Sequence, residues 1–222
     1  MTRSLGNVNS ARQWFARAAY AERSYVDIFA KHYDELPVSN QNNGSTRAQF
    51  AIQDAILAGD SRLIEVTAGQ VLDLSDDYPN EYLGTGETYY KACFVASLAT
   101  GDMASAATYR DRCRDVVDDP DEYVTALLRT YDGFLDEDSH AVEANLQELV
   151  DIHADAAEDL SRWLQVMSPA AGALFLLAKD RGMEITVDSW YLPDGLRTYG
   201  LDEDINRPRP EYLREELIIT AD

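Results

Sequence analysis

The sequence is poor in cysteine and in long hydrophobic runs, and both shortages exclude classes of protein. Its 222 residues include two cysteines, Cys93 and Cys113, which are too few for a disulfide framework and lack the Cys-x-x-Cys spacing of a zinc or redox site. Because both lie on predicted helices, we expect them to be buried thiols. No run of about 18 apolar residues occurs, so we expect no membrane span.

Lysine is also scarce, with 3 residues, and the charge is strongly negative. The chain has 40 Asp and Glu against 19 Lys and Arg, a formal net charge of −21, and 25 of the acids are aspartates. Such a charge repels itself in dilute buffer, whereas at ~1 M salt the Debye length falls to about 3 Å. Since the acids are spread along the chain, the composition indicates a cytosol at high salt. An acidic surface that mimics nucleic acid for a basic partner is the alternative, and direct nucleic-acid binding is disfavoured.

The N-terminal part of the sequence lacks the uninterrupted apolar core of a signal peptide. Arg12, Arg17 and Arg23 break up the apolar positions there. We therefore expect a cytoplasmic protein of a high-salt organism, and the oligomeric state stays open.

Apolar residues recur at three- and four-residue spacing almost throughout, which is typical of amphipathic helices. Three turns between predicted helices share an outline that contains Asp60, Asp102 and Asp138. This repetition predicts a mainly all-α fold class with antiparallel helical hairpins, in a solenoid-like or a bundle array. We expect a single α-helical domain over residues 1–222. The predicted helices cover about 10–36, 45–58, 61–76, 86–100, 103–117, 121–135, 139–152, 156–167 and 170–180.

The first predicted helix has a clear apolar stripe. Trp14, Phe15, Ala18, Ala19, Tyr25, Ile28 and Phe29 recur at three- and four-residue spacing, which predicts one long amphipathic helix that ends at Pro37.

Motifs that could carry chemistry are incomplete in this sequence. Glu137 and His140 form one Glu-x-x-His pair, whereas a di-iron bundle needs two such pairs and two further glutamates. Gly84-Thr85-Gly86 has no preceding strand and no following lysine, which indicates a helix-entry turn rather than a phosphate-binding loop. We therefore predict no catalytic residue, no cofactor and no metal.

The densest acidic cluster flanks Pro120. Asp118 and Asp119 precede this proline, and Asp121 and Glu122 follow it. The cluster could bind a cation or present a negative face to a partner. The alternative is an ordinary helix start, where acids are favoured near the positive end of the helix dipole.

The stretch from Ser168 to Leu196 has the most distinctive order of elements. Ser168-Pro169 is typical of a helix start, the residues to Asp180 form an apolar helix, and Gly182 ends it. Residues 183–187 alternate between polar and apolar, which predicts a short extended segment near the C-terminus. No nucleophile, base or metal-ligand set occurs in this stretch.

Several motifs in this region resemble the Immunity protein 49 family of polymorphic toxin systems. They are a helix ending 177–182, an extended strip at 184–189, and Tyr191-Leu192-Pro193 followed by Leu196. An earlier helix that begins with Tyr89-Tyr90 and ends before Gly101-Asp102 is also similar. The resemblance covers a core of about residues 88–197, and its motifs are structural in character.

The resemblance implies a non-enzymatic, mainly helical protein that binds and neutralises a cognate protein toxin. A helical-repeat adaptor of the TPR type and an enzyme with an unrecognised site are the alternatives. If charge steering is screened by salt, binding depends on desolvated aromatic and apolar anchors. The predicted partner-binding residues are Trp190, Tyr191, Tyr131, Tyr123, Asp118 and Asp119, with Trp14 as a further aromatic candidate.

Overall fold

The computed structural model describes residues 8–37, 43–74, 85–161, 164–198 and 200–201. Eight α-helices fill most of these ranges, and no β-strand occurs within them, which confirms the all-α prediction. The helices are α1 (Val8–His32), α2 (Gly44–Ala58), α3 (Ser61–Leu72), α4 (Thr85–Thr100), α5 (Met103–Asp115), α6 (Glu122–Leu135), α7 (Ser139–Ala156) and α8 (Pro169–Asp180). Three short 3-10 helices cover Tyr33–Glu35, Ala157–Asp159 and Asp194–Thr198.

Aspartate side chains begin four of the helices, and three of these aspartates lie in the repeated turns. Asp60 accepts a hydrogen bond from the Leu63 amide at 3.0 Å, at the start of α3. Asp102 and Asp138 do the same at the starts of α5 and α7. Each bond satisfies an amide that has no partner inside its own helix. The three turns are therefore built alike.

The end of the preceding helix is also similar at the three turns. Gly59 and Gly101 adopt positive φ angles of 66° and 79°, a conformation that glycine enters without steric cost. At the third turn Glu137 takes the same position with φ 54°, and it has the only positive φ of a non-glycine residue among those described. The turn geometry is thus kept where the sequence offers no glycine.

Helix α2 lies at the centre of the packing. It contacts α1, α3, α4 and α8. Ile52, Ile56 and Leu57 on α2 are fully buried, so the helix presents apolar side chains in several directions. The buried hydrophobic residues of all eight helices belong to one cluster. The single domain over residues 1–222 stays a prediction.

Helix α8 approaches α2 closely because it carries Gly172. A Cβ atom added at Gly172 would lie 3.0 Å from Leu57 Cδ2 and 3.2 Å from Leu196 Cδ1. Nine of the twelve residues of α8 are buried, and the helix also contacts α4 and α7. The predicted apolar helix is therefore a central packing element of the C-terminal region.

Helices α5 and α6 are joined by ion pairs. Arg110 and Arg114 on α5 both pair with the Asp132 carboxylate on α6. Phe94 of α4 stacks on Tyr131 of α6 with ring centroids 3.7 Å apart. Helix α6 is thus linked to α5 by ion pairs and to α4 by aromatic stacking in the core.

The predicted helix over 156–167 is wrong. Helix α7 ends at Ala156, and after Asp159 the described residues up to Ser168 form bends and turns. Side chains bond the carbonyl groups that a helix would satisfy internally. His153 Nε2 donates to the Leu164 carbonyl at 2.8 Å, and Gln165 Nε2 donates to the Leu160 carbonyl at 2.8 Å. These tertiary contacts override the helical spacing of the sequence.

The segment after Gly182 keeps the predicted alternation but has no neighbouring strand. Met183 and Val187 are buried while Glu184, Thr186 and Asp188 are exposed. Side chains of α7 form the hydrogen bonds that a neighbouring strand would otherwise form. The Glu143 carboxylate accepts a hydrogen bond from the Thr186 amide. Gln147 accepts from the Asp188 amide at 2.9 Å and donates to the Asp188 carbonyl at 3.0 Å.

Candidate functional site

The six predicted partner-binding residues fall into three environments. Trp190 is 56% exposed, and Asp118 and Asp119 are exposed. Tyr123 and Tyr191 are partly buried. Tyr131 is 1% exposed, so it belongs to the core and presents no surface to a partner.

Burial also sets the acidity of the two tyrosines on α6. It raises the pKa of Tyr131 well above the ordinary value, with smaller contributions from neighbouring groups that include Cys113. It raises the pKa of Tyr123 to about 12, with a smaller contribution from the charge of Asp121. Both hydroxyl groups therefore stay protonated at neutral pH.

The acidic cluster around Pro120 separates into two parts. The Asp121 carboxylate accepts a hydrogen bond from the Val124 amide at 2.7 Å and begins α6. Asp118 and Asp119 form no ion pair with any residue that the structure describes. The helix-start interpretation explains Asp121, and the two preceding aspartates give the turn a negative surface.

A cavity of about 590 Å³ opens between α2, α6 and α7. Tyr123, His153 and Phe50 lie in its wall. Tyr191 packs edge-on against the His153 ring, with centroids 5.1 Å apart, so this aromatic residue supports the wall from behind. Of the two predicted aromatic candidates, Tyr123 thus lines the cavity and Tyr191 is connected to it through His153.

A second cavity, of about 680 Å³, lies between α1, α2 and the start of α8, and we call it the α1–α2 groove. Its residues are mainly apolar, with three charged exceptions. They are Ala11, Trp14, Phe15, Ala18, Glu22, Arg47, Phe50, Asp54, Val166, Met167, Pro169 and Pro193. Phe50 and Pro169 line both cavities, so the two form one continuous surface.

Trp14 lies in this groove and is 65% exposed, although it belongs to the apolar stripe of α1. The core-facing side of α1 carries Ala16, Ala19, Val26 and Phe29, and Phe15 is partly buried against the same core. The buried Arg12 determines this orientation: its guanidinium donates to the carbonyls of Ala58 at 2.8 Å and Gly59 at 3.0 Å. The hydrogen bonds of Arg12 thus hold this face of α1 against the core and leave Trp14 exposed.

Asp54 is the unusual polar group of the groove. Burial raises the pKa of its carboxyl group to about 7, and the nearby charge of Glu22 adds to the shift. Glu22 itself is paired with Arg47 at 2.8 Å. Asp54 accepts no hydrogen bond and forms no ion pair among the described residues. Sequence reasoning missed it, although a single aspartate in the apolar stretch 51–58 was a visible signal.

Neither a metal centre nor a membrane helix is present in the described part of the chain. No group of three or more His, Cys, Asp and Glu residues there could hold a metal ion. No helix in those ranges is both long and apolar enough to cross a bilayer. What the two cavities offer chemically is an apolar surface with exposed aromatic and acidic groups, suited to binding.

Comparison with known proteins gives one family. The family model described as Immunity protein 49 matches residues 87–196, from α4 to the last 3-10 helix. No curated protein and no solved structure matches the chain. The matched range agrees with the core of about 88–197 expected from the sequence motifs, which confirms the resemblance.

Proposed function

We propose that this chain, which belongs to the Immunity protein 49 family, is a non-enzymatic immunity protein that binds a cognate protein toxin and neutralises it. The observation that carries the proposal is the family match over residues 87–196. The surface is compatible with it, because exposed tryptophan is typical of residues that dominate protein–protein binding. The match does not favour the adaptor alternative.

Among the residues predicted from the sequence, Trp190 is our first candidate for direct contact with the toxin. Its ring is exposed, whereas Tyr191 and Tyr123 offer only part of their surface. Asp118 and Asp119 are candidates for polar contacts at the edge of an interface. Tyr131 is buried, so we propose that it supports binding only indirectly, by packing in the core that holds α6 in position.

Co-expression with the neighbouring toxin gene tests the proposed function. Cells that express the toxin domain encoded beside this protein should stop growing, and expression of the full chain should restore growth. An unrelated acidic protein expressed at the same level serves as the control. If the full chain gives no more growth than that control, the immunity function is refuted.

We also propose that the protein works in the cytoplasm of a high-salt organism, and this gives a stability prediction. The excess of 21 negative charges repels itself at low ionic strength, and salt screens that repulsion. The melting temperature should therefore rise between about 0.1 M and about 2 M KCl. Circular dichroism at both concentrations measures it, and an unchanged melting temperature would count against adaptation to salt.

A further inference from the structure

We propose that the α1–α2 groove is a contact surface for the toxin, and that it receives one basic side chain flanked by apolar residues, with Asp54 as the ion-pair partner. The inference rests on the proposed immunity function. It places a contact mostly on α1 and α2, outside the family-matched range of 87–196.

The apolar part of the groove fits the chemistry of an interface centre. Trp14 and Val166 are two of the most exposed large hydrophobic residues described, and both line this groove. Arg17 lies over the Trp14 ring at 4.8 Å from its centroid and covers one face of the indole. Such a patch of exposed apolar surface costs free energy in water, and a partner that covers it recovers that energy.

The charge in the groove selects the kind of partner. Arg47 is already paired with Glu22, and Arg17 lies over the Trp14 ring, so Asp54 is the carboxyl group lining the groove that has no ion pair among the described residues. Asp54 is placed among apolar groups with no bonding partner among the described residues. A lysine or arginine from the toxin would supply that partner, and arginine could bond both carboxylate oxygens.

A contact of this kind is also suited to high salt. Interactions between exposed charges are screened at molar salt, whereas a pair enclosed by apolar side chains is screened much less. One enclosed ion pair among apolar contacts could therefore give specificity where long-range attraction between the two proteins is weak.

A second copy of this chain fits the groove less well. Each copy carries a net charge of −21, and a symmetric contact would bring the same Asp54 carboxyl group from both sides. We therefore commit to a cation-bearing toxin as the occupant.

The proposed ion pair makes binding depend on pH. The free Asp54 carboxyl group has a pKa of about 7, and a bound cation would favour its ionised form. Binding then releases a proton below that pKa, so affinity should increase by about tenfold from about pH 6 to about pH 8. The other charged groups that line the groove are Glu22 from α1 and Arg47 from α2, and Arg17 of α1 lies over Trp14 beside it. Among the described residues, the start of α8 and the loops contribute only apolar side chains.

Titration calorimetry of the full chain with the purified toxin domain from the adjacent gene tests the inference. Trp14→Ala should weaken binding by about 30-fold, in the range expected of an interface tryptophan. Asp54→Asn should weaken binding by about tenfold at pH ~8 and abolish the pH dependence. The matched controls are Val66→Ala and Asp73→Asn, which change exposed residues of a different cavity and should alter affinity by less than about twofold.

The outcomes separate the two proposals. If the wild-type chain binds the toxin and both groove variants bind as tightly as the controls, the groove inference is overturned while the immunity function stands. If the wild-type chain does not bind, both are overturned. A groove variant that changes self-association and not toxin affinity would assign the groove to a second copy and contradict our inference. Circular dichroism confirms that each variant is folded.

Discussion

Replacing Phe94 with alanine is expected to lower the free energy of unfolding by about 3–5 kcal/mol. Phe94 is fully buried on α4, and its ring stacks on Tyr131 of α6 at 3.7 Å between centroids. The substitution removes buried apolar surface, leaves a cavity and breaks the stacked pair. Urea denaturation at high salt, followed by circular dichroism, measures the change.

Phe94→Leu is the control that tests whether the destabilisation by Phe94→Ala comes from lost side-chain volume. Leucine fills most of the site, so this variant should cost only about 1.5 kcal/mol. A loss below about 1 kcal/mol for Phe94→Ala would show that the site collapses around the smaller side chain. It would also show that Phe94 and Tyr131 do not join the hairpins as described.

Replacing Arg12 with alanine is expected to cost about 3 kcal/mol, the second-largest effect. The Arg12 guanidinium is buried and bonds the carbonyls of Ala58 and Gly59 at the end of α2. Without Arg12, the carbonyl oxygens of Ala58 and Gly59 at the end of α2 lose their charged hydrogen-bond donors. Carbonyls in the last turn have no partner inside the helix, so the loss is costly. The same denaturation experiment measures the loss.

Arg17→Ala is the matched control for Arg12. It removes a guanidinium from the exposed side of the same helix, so it should change stability by less than about 0.5 kcal/mol. Equal losses for the two variants would mean that the buried hydrogen bonds of Arg12 do not determine how α1 packs on α2.

Local signals were sufficient to predict most of the helices. Asp60, Asp102 and Asp138 begin helices because a short carboxylate bonds the amides three positions ahead, and this chemistry depends on nearby residues alone. The glycine at 182 ends α8 with a φ of 74°, as expected. Such rules need no knowledge of the tertiary structure.

The features that the sequence did not indicate come from contacts between distant residues. The orientation of α1 depends on Arg12 bonding carbonyls 46 and 47 residues away, which periodicity alone could not indicate. The bends after Asp159 depend on His153 bonding the Leu164 carbonyl, so a helical spacing there did not give a helix.

The candidate site was predicted only in part. Trp190 is exposed as the proposal requires, while Tyr131 is buried by its stack on Phe94. Exposure depends on which face of a helix meets a neighbour, so aromatic content could not distinguish these two residues. The α1–α2 groove is formed by residues from both ends of the described chain, and no sequence pattern groups Trp14 with Pro193.

The proposed binding surface combines the family-matched range with the groove on α1 and α2. The range 87–196 supplies the family core, and α1 and α2 add an apolar surface that contains the Asp54 carboxyl group. Because most residues of the groove lie on packed helices, binding there would cost little conformational entropy.

Mixing the purified chain with the purified toxin domain from the adjacent gene, followed by size-exclusion chromatography with light scattering at high salt, is the decisive measurement. We predict a single peak of defined stoichiometry that contains both proteins, in which the toxin has lost its activity. Two separate peaks with the toxin still active would contradict the proposed immunity function.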